Sequence, residues 1–209
     1  MRVIRVAAVT AALVLAACGT ATGPGSPAAP TASPTPAPPS TVPAAPGPVT
    51  GLGTVIEVPG GSPELCLGPV RESFPPQCEG VPLAGWDWAE AGIQEEVPAG
   101  PGSATRWGTY AVTGTFDGLT MTVANSVPLA LYDTVAEPSP SPSALPSLSA
   151  DEWAGVESGV RLLPGMLTSM REGDVGPVLV DVVHDDGSLQ AWTDAAFGAG
   201  TVRVRSALG

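Results

Sequence analysis

The single histidine of the sequence, His184, could serve a serine or cysteine nucleophile, because such nucleophiles are activated by a neighbouring base. It follows a largely β-branched run at residues 178–183 and precedes Asp185-Asp186-Gly187. The sequence contains no Gly-x-Ser-x-Gly or His-Glu-x-x-His stretch. It also contains no lysine for a Walker A phosphate loop. We therefore expect His184 to be a surface residue of a turn and predict no catalytic residue.

Four carboxylates near His184 suggest a second kind of chemistry, because oxygen ligands at a turn can hold Ca²⁺. The alternative is a solvated turn whose side chains cap local backbone amides. No D-x-D-x-D-G calcium loop is present. We therefore predict no metal ligand and no cofactor. The alternative, a Ca²⁺ site, would use the one local cluster of Asp181, His184, Asp185, Asp186 and Asp194.

Paired carboxylates could hydrolyse a glycosidic bond, with one acting as the acid and the other as base or nucleophile. Glu95 with Glu96, and Asp87 with Glu90, are such pairs. Because the chain has 20 acidic residues, some close pairs are expected by chance. An envelope hydrolase is therefore only the lesser functional alternative.

Three tryptophans, Trp86, Trp88 and Trp107, could stack against a sugar ring. If Trp86 and Trp88 lie on one strand, they share a face and Asp87 points to the other, since side chains alternate along a strand. The competing interpretation is core packing, because only 5% of the chain is aromatic and a small core needs large side chains. We favour the core and name the three tryptophans as the candidate ligand-binding residues.

The N-terminal segment has the pattern of an export signal. Two arginines precede an apolar run from Val6 to Ala17. A helix of about 12 residues reaches roughly 18 Å, short of the roughly 30 Å of a hydrocarbon core. The run ends Leu15-Ala16-Ala17-Cys18, which resembles the lipobox of bacterial lipoproteins. We predict a signal peptide at residues 1–17, cleavage before Cys18, and a lipid on Cys18 that anchors the chain to the outer face of the cytoplasmic membrane.

The two remaining cysteines, Cys66 and Cys78, form an even pair in a chain predicted to be exported. That setting favours a disulfide between them. The segment that they enclose is rich in proline and glycine, so we expect a loop and not a helix. With no histidine nearby, the pair is a poor zinc site.

Residues 18–50 have the composition of a stalk. They are dominated by Ala, Pro, Ser, Thr and Gly, and pieces such as residues 34–39 favour polyproline II. Such a segment lacks the apolar side chains needed for a core. We predict a disordered stalk that reaches roughly 95 Å when extended and lifts the folded part away from the membrane.

Residues 51–135 read as a β-rich unit. Segments 54–58 and 64–67 are short strand candidates. The strongest pattern runs from Arg106 to Asn125, where apolar residues alternate with threonines on both sides of Asp117-Gly118. Aspartate-glycine between alternating runs indicates a two-residue hairpin turn. We predict a small β-barrel or β-sandwich pinned by the disulfide, for which an oligonucleotide/oligosaccharide-binding barrel is one possibility.

Residues 136–148 form a second, Ser/Pro-rich linker, and residues 149–209 alternate helix and strand patterns. Ser149 and Glu152 fit a capping box at the start of a helix. A β-branched run, a short helix that Gly198 can end, and a final strand follow. We predict an α-β-α-β unit with a parallel crossover, which makes the whole chain α+β. So small a unit needs the β-rich unit to cover part of its surface.

The chain resembles uncharacterised lipoproteins of high-GC Gram-positive (actinobacterial) bacteria. The resemblance covers most of residues 52–208, and it implies the location and layout of the protein without an activity. The pieces that carry it are Leu65-Cys66-Leu67-Gly68, Pro75-Pro76-Gln77-Cys78, Gly85-Trp86-Asp87-Trp88, and the end from Asp185-Asp186-Gly187-Ser188-Leu189-Gln190 through Gly198 to Val202–Leu208.

The charge of the chain disfavours two classes of partner. The formal net charge is −12, from 8 arginines and 20 acids. Loss of the two arginines in the signal peptide leaves 6 − 20 = −14. So acidic a chain repels nucleic-acid phosphates and anionic lipid head groups. We therefore expect a non-catalytic, lipid-anchored protein that binds or supports an envelope protein or glycan. The alternative is a small-ligand or sugar receptor that uses the three tryptophans.

Overall fold

The computed structural model describes residues 37–133, 148–172 and 176–209. These residues form nine strands and three α-helices. The chain is therefore α+β and mostly sheet, as predicted. The predicted signal peptide, Cys18, most of the stalk and most of the second linker lie outside the described residues. Within the described ranges, no helix is long and apolar enough to cross a membrane.

The strands form two sheets. The first contains β1 (Pro48–Glu57), β2 (Glu64–Cys66), β3 (Val81–Ala84), β4 (Glu95–Gly100), β5 (Ser103–Phe116) and β6 (Met121–Pro128), with helix α1 (Trp88–Ala91) between β3 and β4 and a 3₁₀ turn at Leu129–Leu131. The second contains β7 (Met166–Arg171), β8 (Val178–Val182) and β9 (Val202–Ser206), with α2 (Ala150–Val160) before β7 and α3 (Ser188–Phe197) between β8 and β9.

Five strands of the first sheet pair in a closed ring. The order is β1-β2-β3-β6-β5, and β5 pairs again with β1 along ten residues of each strand. Every pairing is antiparallel except that between β3 and β6, which is parallel. Strand β4 pairs only with the first residues of β5 and lies outside the ring. A closed ring leaves these five strands with few unpaired backbone groups.

The interior of the ring is apolar because alternate residues of each strand point inward. Tyr110, Val112 and Met121 are fully buried there, whereas the threonines that alternate with them on β5 are more exposed. This is the alternation that the sequence predicted. Two glycines permit close strand approach: a Cβ at Gly53 would lie 2.2 Å from the Cys66 carbonyl oxygen, and one at Gly114 would lie 2.1 Å from that of Thr122.

Strands β5 and β6 form the predicted hairpin, but the predicted two-residue turn is wrong. Phe116 pairs with Met121, so residues 117–120 form a four-residue connection. The Asp117 carboxylate accepts hydrogen bonds from the backbone amides of Leu119 (2.9 Å) and Thr120 (2.7 Å). These bonds stabilise the longer connection, in which Gly118 has a φ of 98°.

The folded part begins earlier than the boundary that composition suggested. Strand β1 starts at Pro48, inside the predicted stalk of residues 18–50. Before it, Val42 and Ala45 pack against the core of the ring, and the Ala45 amide donates to the Phe116 carbonyl (2.9 Å). Proline is tolerated at the first residue of a strand, so a proline-rich composition did not exclude β structure here.

The predicted disulfide between Cys66 and Cys78 is present, with Cα atoms 6.0 Å apart. The loop that it closes covers a small apolar cluster formed by Ile56, Cys66 and Trp107, all buried. At the tip of the loop, Phe74 is 78% exposed and contacts Trp107 edge to face, with ring centroids 5.5 Å apart. The disulfide therefore holds a loop against the sheet and away from the central core.

The C-terminal residues form an α-β-β-α-β unit, so the predicted α-β-α-β order missed β7. The capping box at Ser149 and Glu152 is present, and α2 ends before Pro164. Strands β8 and β9 are parallel, joined by α3, as predicted. Strand β7 was missed because its residues, Met166–Arg171, follow Pro164-Gly165 without a run of β-branched side chains.

The two predicted units pack together, and Thr35–Gly209 is one compact unit. Val183 and Leu208, from the C-terminal unit, are buried in the core of the strand ring. Beside them, Thr50 and Gly209 exchange backbone hydrogen bonds of 2.7 and 3.2 Å, which add the end of the chain to β1. The small C-terminal unit thus shares a core with the ring, which its size made necessary.

Candidate functional site

Trp86 and Trp88 do not lie on one strand, which was the arrangement considered for the candidate ligand site. Strand β3 ends at Ala84, and Gly85, with a φ of 80°, turns the chain away from the sheet. Asp87 then caps α1 by accepting a hydrogen bond from the Ala89 amide (2.7 Å), and Trp88 is the first residue of that helix. The two indole rings are therefore brought together by a turn at Gly85 and the first residue of α1, and not by a shared strand face.

Trp86, Trp88 and Tyr110 form an aromatic cluster at the end of the ring. The Trp86 ring lies 5.3 Å from that of Trp88 and 5.0 Å from that of Tyr110, both edge to face. The Trp88 indole donates to the Glu57 carboxylate, and the Tyr110 hydroxyl donates to the Gly92 carbonyl. Burial raises the pKa of Tyr110 above 10.0. Trp88 is only 9% exposed, so it acts mainly as core.

Trp107 lies apart from the other two tryptophans. It is on β5 and belongs to the outer cluster beneath the disulfide loop, where it is 9% exposed. Trp107 and Tyr110 are an odd number of residues apart on one strand, so their side chains are on opposite faces. The structure therefore brings Trp86 and Trp88 together and does not bring Trp107 to them.

A polar recess of about 210 Å³ lies beside Trp86. One wall is formed by the turn into α1, with Trp86, Asp87 and Glu90, and the other by residues 123–126 of β6, with Asn125 and Ser126. Trp86 is half-buried, whereas Asp87, Glu90 and Asn125 are exposed. The recess thus combines an aromatic side chain with carboxylate, amide and hydroxyl groups at the surface.

The β6 wall of the recess contains a β-bulge. Thr113 pairs with Asn125 and Gly114 pairs with Val123, so Ala124 is an extra residue on β6. A bulge bends a strand and re-aims the neighbouring side chains, and such bulges are frequent beside binding sites. Sequence reasoning missed Asn125 and Ser126, because a bulge changes the alternation that a period-two pattern assumes.

The Trp86 indole N–H is buried, and no acceptor for it is found among the described residues. A buried donor without a partner costs about 1–3 kcal/mol, so natural structures rarely retain one without a reason. The donor belongs to a residue that lines the recess. Because the nitrogen itself is closed off from solvent, a molecule bound in the recess would reach this donor only after the surrounding side chains moved.

His184 is buried, and the expectation of a surface turn residue was wrong. It is 7% exposed, and its Nδ1 donates a hydrogen bond to the Leu208 carbonyl oxygen (3.1 Å). The ring contacts Phe116 edge to face, with centroids 6.3 Å apart. Val183, its neighbour in sequence, and Leu208, which accepts its hydrogen bond, are both buried in the core of the strand ring.

The carboxylates near His184 cap backbone amides, as the solvated-turn alternative described. Asp185 accepts from the amides of Gly187 and Leu189, each at 2.9 Å. Hydrogen bonds from the Ser188 side chain and amide hold the pKa of Asp186 below 3.8. Asp181 pairs with Arg205 at 2.8 Å. These contacts engage the carboxylates in stabilising the turn and the start of α3.

Of the two carboxylate pairs named for hydrolysis, Glu95 and Glu96 lie on β4 outside the recess, and Asp87 and Glu90 lie together along it. Glu96 pairs with Arg106 at 3.0 Å on the hairpin of β4 and β5. Asp87 and Glu90 line the recess instead, where Asp87 also caps α1. Chemically, the recess can accept hydrogen bonds, donate them through Asn125 and Ser126, and attract positive charge. No protein-family model, curated protein or solved structure matches this chain.

Proposed function

We propose that this chain is a lipid-anchored, non-catalytic protein on the outer face of the cytoplasmic membrane, where it binds or supports a component of the cell envelope. The anchor rests on Leu15-Ala16-Ala17-Cys18 after a charged and apolar leader. In this proposal, the proline-rich segment that follows Cys18 is a stalk that carries the folded part. Two or three acyl chains on Cys18 would anchor the chain stably, since each buried methylene contributes about 0.8 kcal/mol.

The observation that carries the binding role is the closed ring of five strands. We interpret this ring as a small barrel of the oligonucleotide/oligosaccharide-binding type, in which β3 and β6 pair in parallel and α1 follows β3. Barrels of this type bind extended polymers through their strands and loops. A net charge near −14 after leader removal, from 6 − 20, disfavours nucleic acid and leaves envelope glycans or proteins.

The absence of catalysis is part of the proposal, and it is supported by the placement of the only histidine. His184 is buried, with its Nδ1 engaged by the Leu208 carbonyl. A general base must come within hydrogen-bond reach of the proton that it removes. In this position His184 can support the join between the C-terminal unit and the ring, but it cannot reach a substrate at the surface.

Lipidation and binding are tested separately. Metabolic labelling with palmitate should mark the wild-type chain in the membrane fraction, and Cys18→Ser should lose both the label and the membrane association. Thermal unfolding is then measured against envelope sugars, peptidoglycan fragments, Ca²⁺ and Zn²⁺. A ligand at 100 times its Kd adds about 2.7 kcal/mol. A labelled Cys18→Ser chain would refute the anchor, and turnover of any envelope substrate would refute the non-catalytic role.

A second candidate function, a sugar receptor, is favoured by one observation: the half-buried Trp86 lines a polar recess. The receptor then uses Trp86 and not all three tryptophans, since Trp88 and Trp107 are each 9% exposed. Ligand-dependent change in tryptophan fluorescence should disappear in Trp86→Phe and persist in Trp107→Phe. A response that depends on Trp107 and not on Trp86 would contradict this assignment.

A further inference from the structure

The recess beside Trp86 has an uncompensated negative charge. Asp87 and Glu90 both line it, and neither forms an ion pair with any described residue. One Asp87 oxygen accepts from the Ala89 amide as the cap of α1. That hydrogen bond leaves the negative charge of Asp87 in place, at the mouth of the recess.

The cationic side chains of the described residues lie elsewhere. Four arginines form ion pairs outside the recess, and Arg171 lies over the Trp153 ring at 4.4 Å. Arg71 belongs to the disulfide loop, where its backbone pairs with that of Gln77, and it is not among the residues that line the recess. Among the residues that the structure describes, no side chain supplies a positive charge to the two carboxylates, and a ligand would have to bring its own.

The other groups of the recess suit a hydroxyl-bearing ring. Asn125 and Ser126 can each donate and accept hydrogen bonds. Trp86 is half-buried, and the exposed part of its indole offers an aromatic face. At about 210 Å³ the recess is smaller than the roughly 300–1,000 Å³ of sites for drug-sized molecules. It would therefore hold one ring of a longer chain.

We propose that this recess binds an amino sugar, with its ammonium group beside Asp87 and Glu90 and its ring against Trp86. The inference rests on the receptor role given above and names the ligand class of that site. An ammonium near carboxylates gains Coulomb attraction, and a cation close to an indole face gains further attraction from the ring. Because both carboxylates are exposed, the preference should weaken with salt.

The test is calorimetric titration of the full chain at pH 6 and low salt with glucosamine, glucose and N-acetylglucosamine. Glucosamine should bind several-fold more tightly than the two neutral sugars. Each exposed charge pair contributes about a two- to five-fold change in affinity. The preference should fall as salt rises to about 0.5 M, where the Debye length drops to a few ångströms.

The matched variants are Asp87→Asn and Glu90→Gln, separately and together. Asparagine caps a helix about as well as aspartate, so the fold of α1 should be retained, which an unchanged thermal transition verifies. Glu95→Gln, an exposed carboxylate on β4 outside the recess, is the control and should keep the preference. The double variant should bind glucosamine and glucose equally.

Three outcomes would overturn the inference. Equal wild-type affinity for glucose and glucosamine would leave a sugar receptor without recognition of charge. A preference that survives in the double variant would put the ammonium elsewhere. If glucosamine does not bind while another envelope component raises the unfolding temperature, the amino-sugar assignment fails and the proposed binding role stands.

Discussion

Breaking the Cys66–Cys78 disulfide should lower the free energy of unfolding by about 3 kcal/mol. The two cysteines are 12 residues apart in sequence. In the chain-entropy account, a cross-link over a loop of this length removes about 3 kcal/mol of conformational freedom from the unfolded chain. The loop also covers Ile56 and Trp107, so any loosening of the loop in the reduced protein would add to this loss.

The assay is urea and thermal unfolding of a chain that begins at Gly19 and so lacks Cys18, with and without reductant. For a protein of this size, 1 kcal/mol corresponds to about 2–4 °C, so the transition should fall by about 6–12 °C. A Cys66→Ala/Cys78→Ala variant checks that the change comes from the cross-link and not from the reductant. A reduced protein that unfolds within about 2 °C of the oxidised one would refute the reasoning.

Three further perturbations follow from the geometry. Leu208→Ala should cost about 2–5 kcal/mol, because Leu208 is fully buried in the core that the C-terminal unit shares with the ring; an unchanged urea midpoint would contradict that join. Gly53→Ala should destabilise the ring, because the new Cβ would lie 2.2 Å from a backbone carbonyl, whereas Gly47→Ala, with nothing within 4 Å, should be neutral. Backbone hydrogen bonds from Thr120 and Leu119 lower the pKa of Asp117 below 3.8, so its stabilising contribution is present above that value and is lost as the pH falls below it. The unfolding temperature of Asp117→Asn should therefore change less than that of the wild type between pH 5 and 2. An equal change of unfolding temperature with pH in the two proteins would contradict the assignment.

Local patterns predicted those elements whose stability depends on neighbouring residues. The capping box at Ser149 and Glu152, the end of α3 at Gly198 and the alternation along β5 were each visible in a few consecutive residues, and each is present. The disulfide was predictable because only two cysteines remained once Cys18 was assigned to a lipid. The four-residue connection at Asp117 was not predictable, since its side-chain hydrogen bonds replace the usual hairpin turn.

The candidate site was predicted only in part. Trp86 and Asp87 were named from the sequence, but their neighbours Asn125 and Ser126 were not. The bulge at Ala124 arises from the pairing of β6 with β5, and the residue pattern within β6 does not predict it. The burial of His184 was likewise hidden, because the Leu208 carbonyl that engages it arrives from 24 residues further along the chain.

The sequence by itself determined the acidic charge of the chain, the pairing of Cys66 with Cys78, and most strands and helices, because these depend on composition or on residues close in sequence. Tertiary structure alone decided the closure of β1 on β5, the burial of Leu208 and His184 at the join, and the recess beside Trp86. These features depend on pairing between segments far apart in the chain. Such pairing is fixed by which apolar faces can be buried together, and no short stretch of residues specifies it.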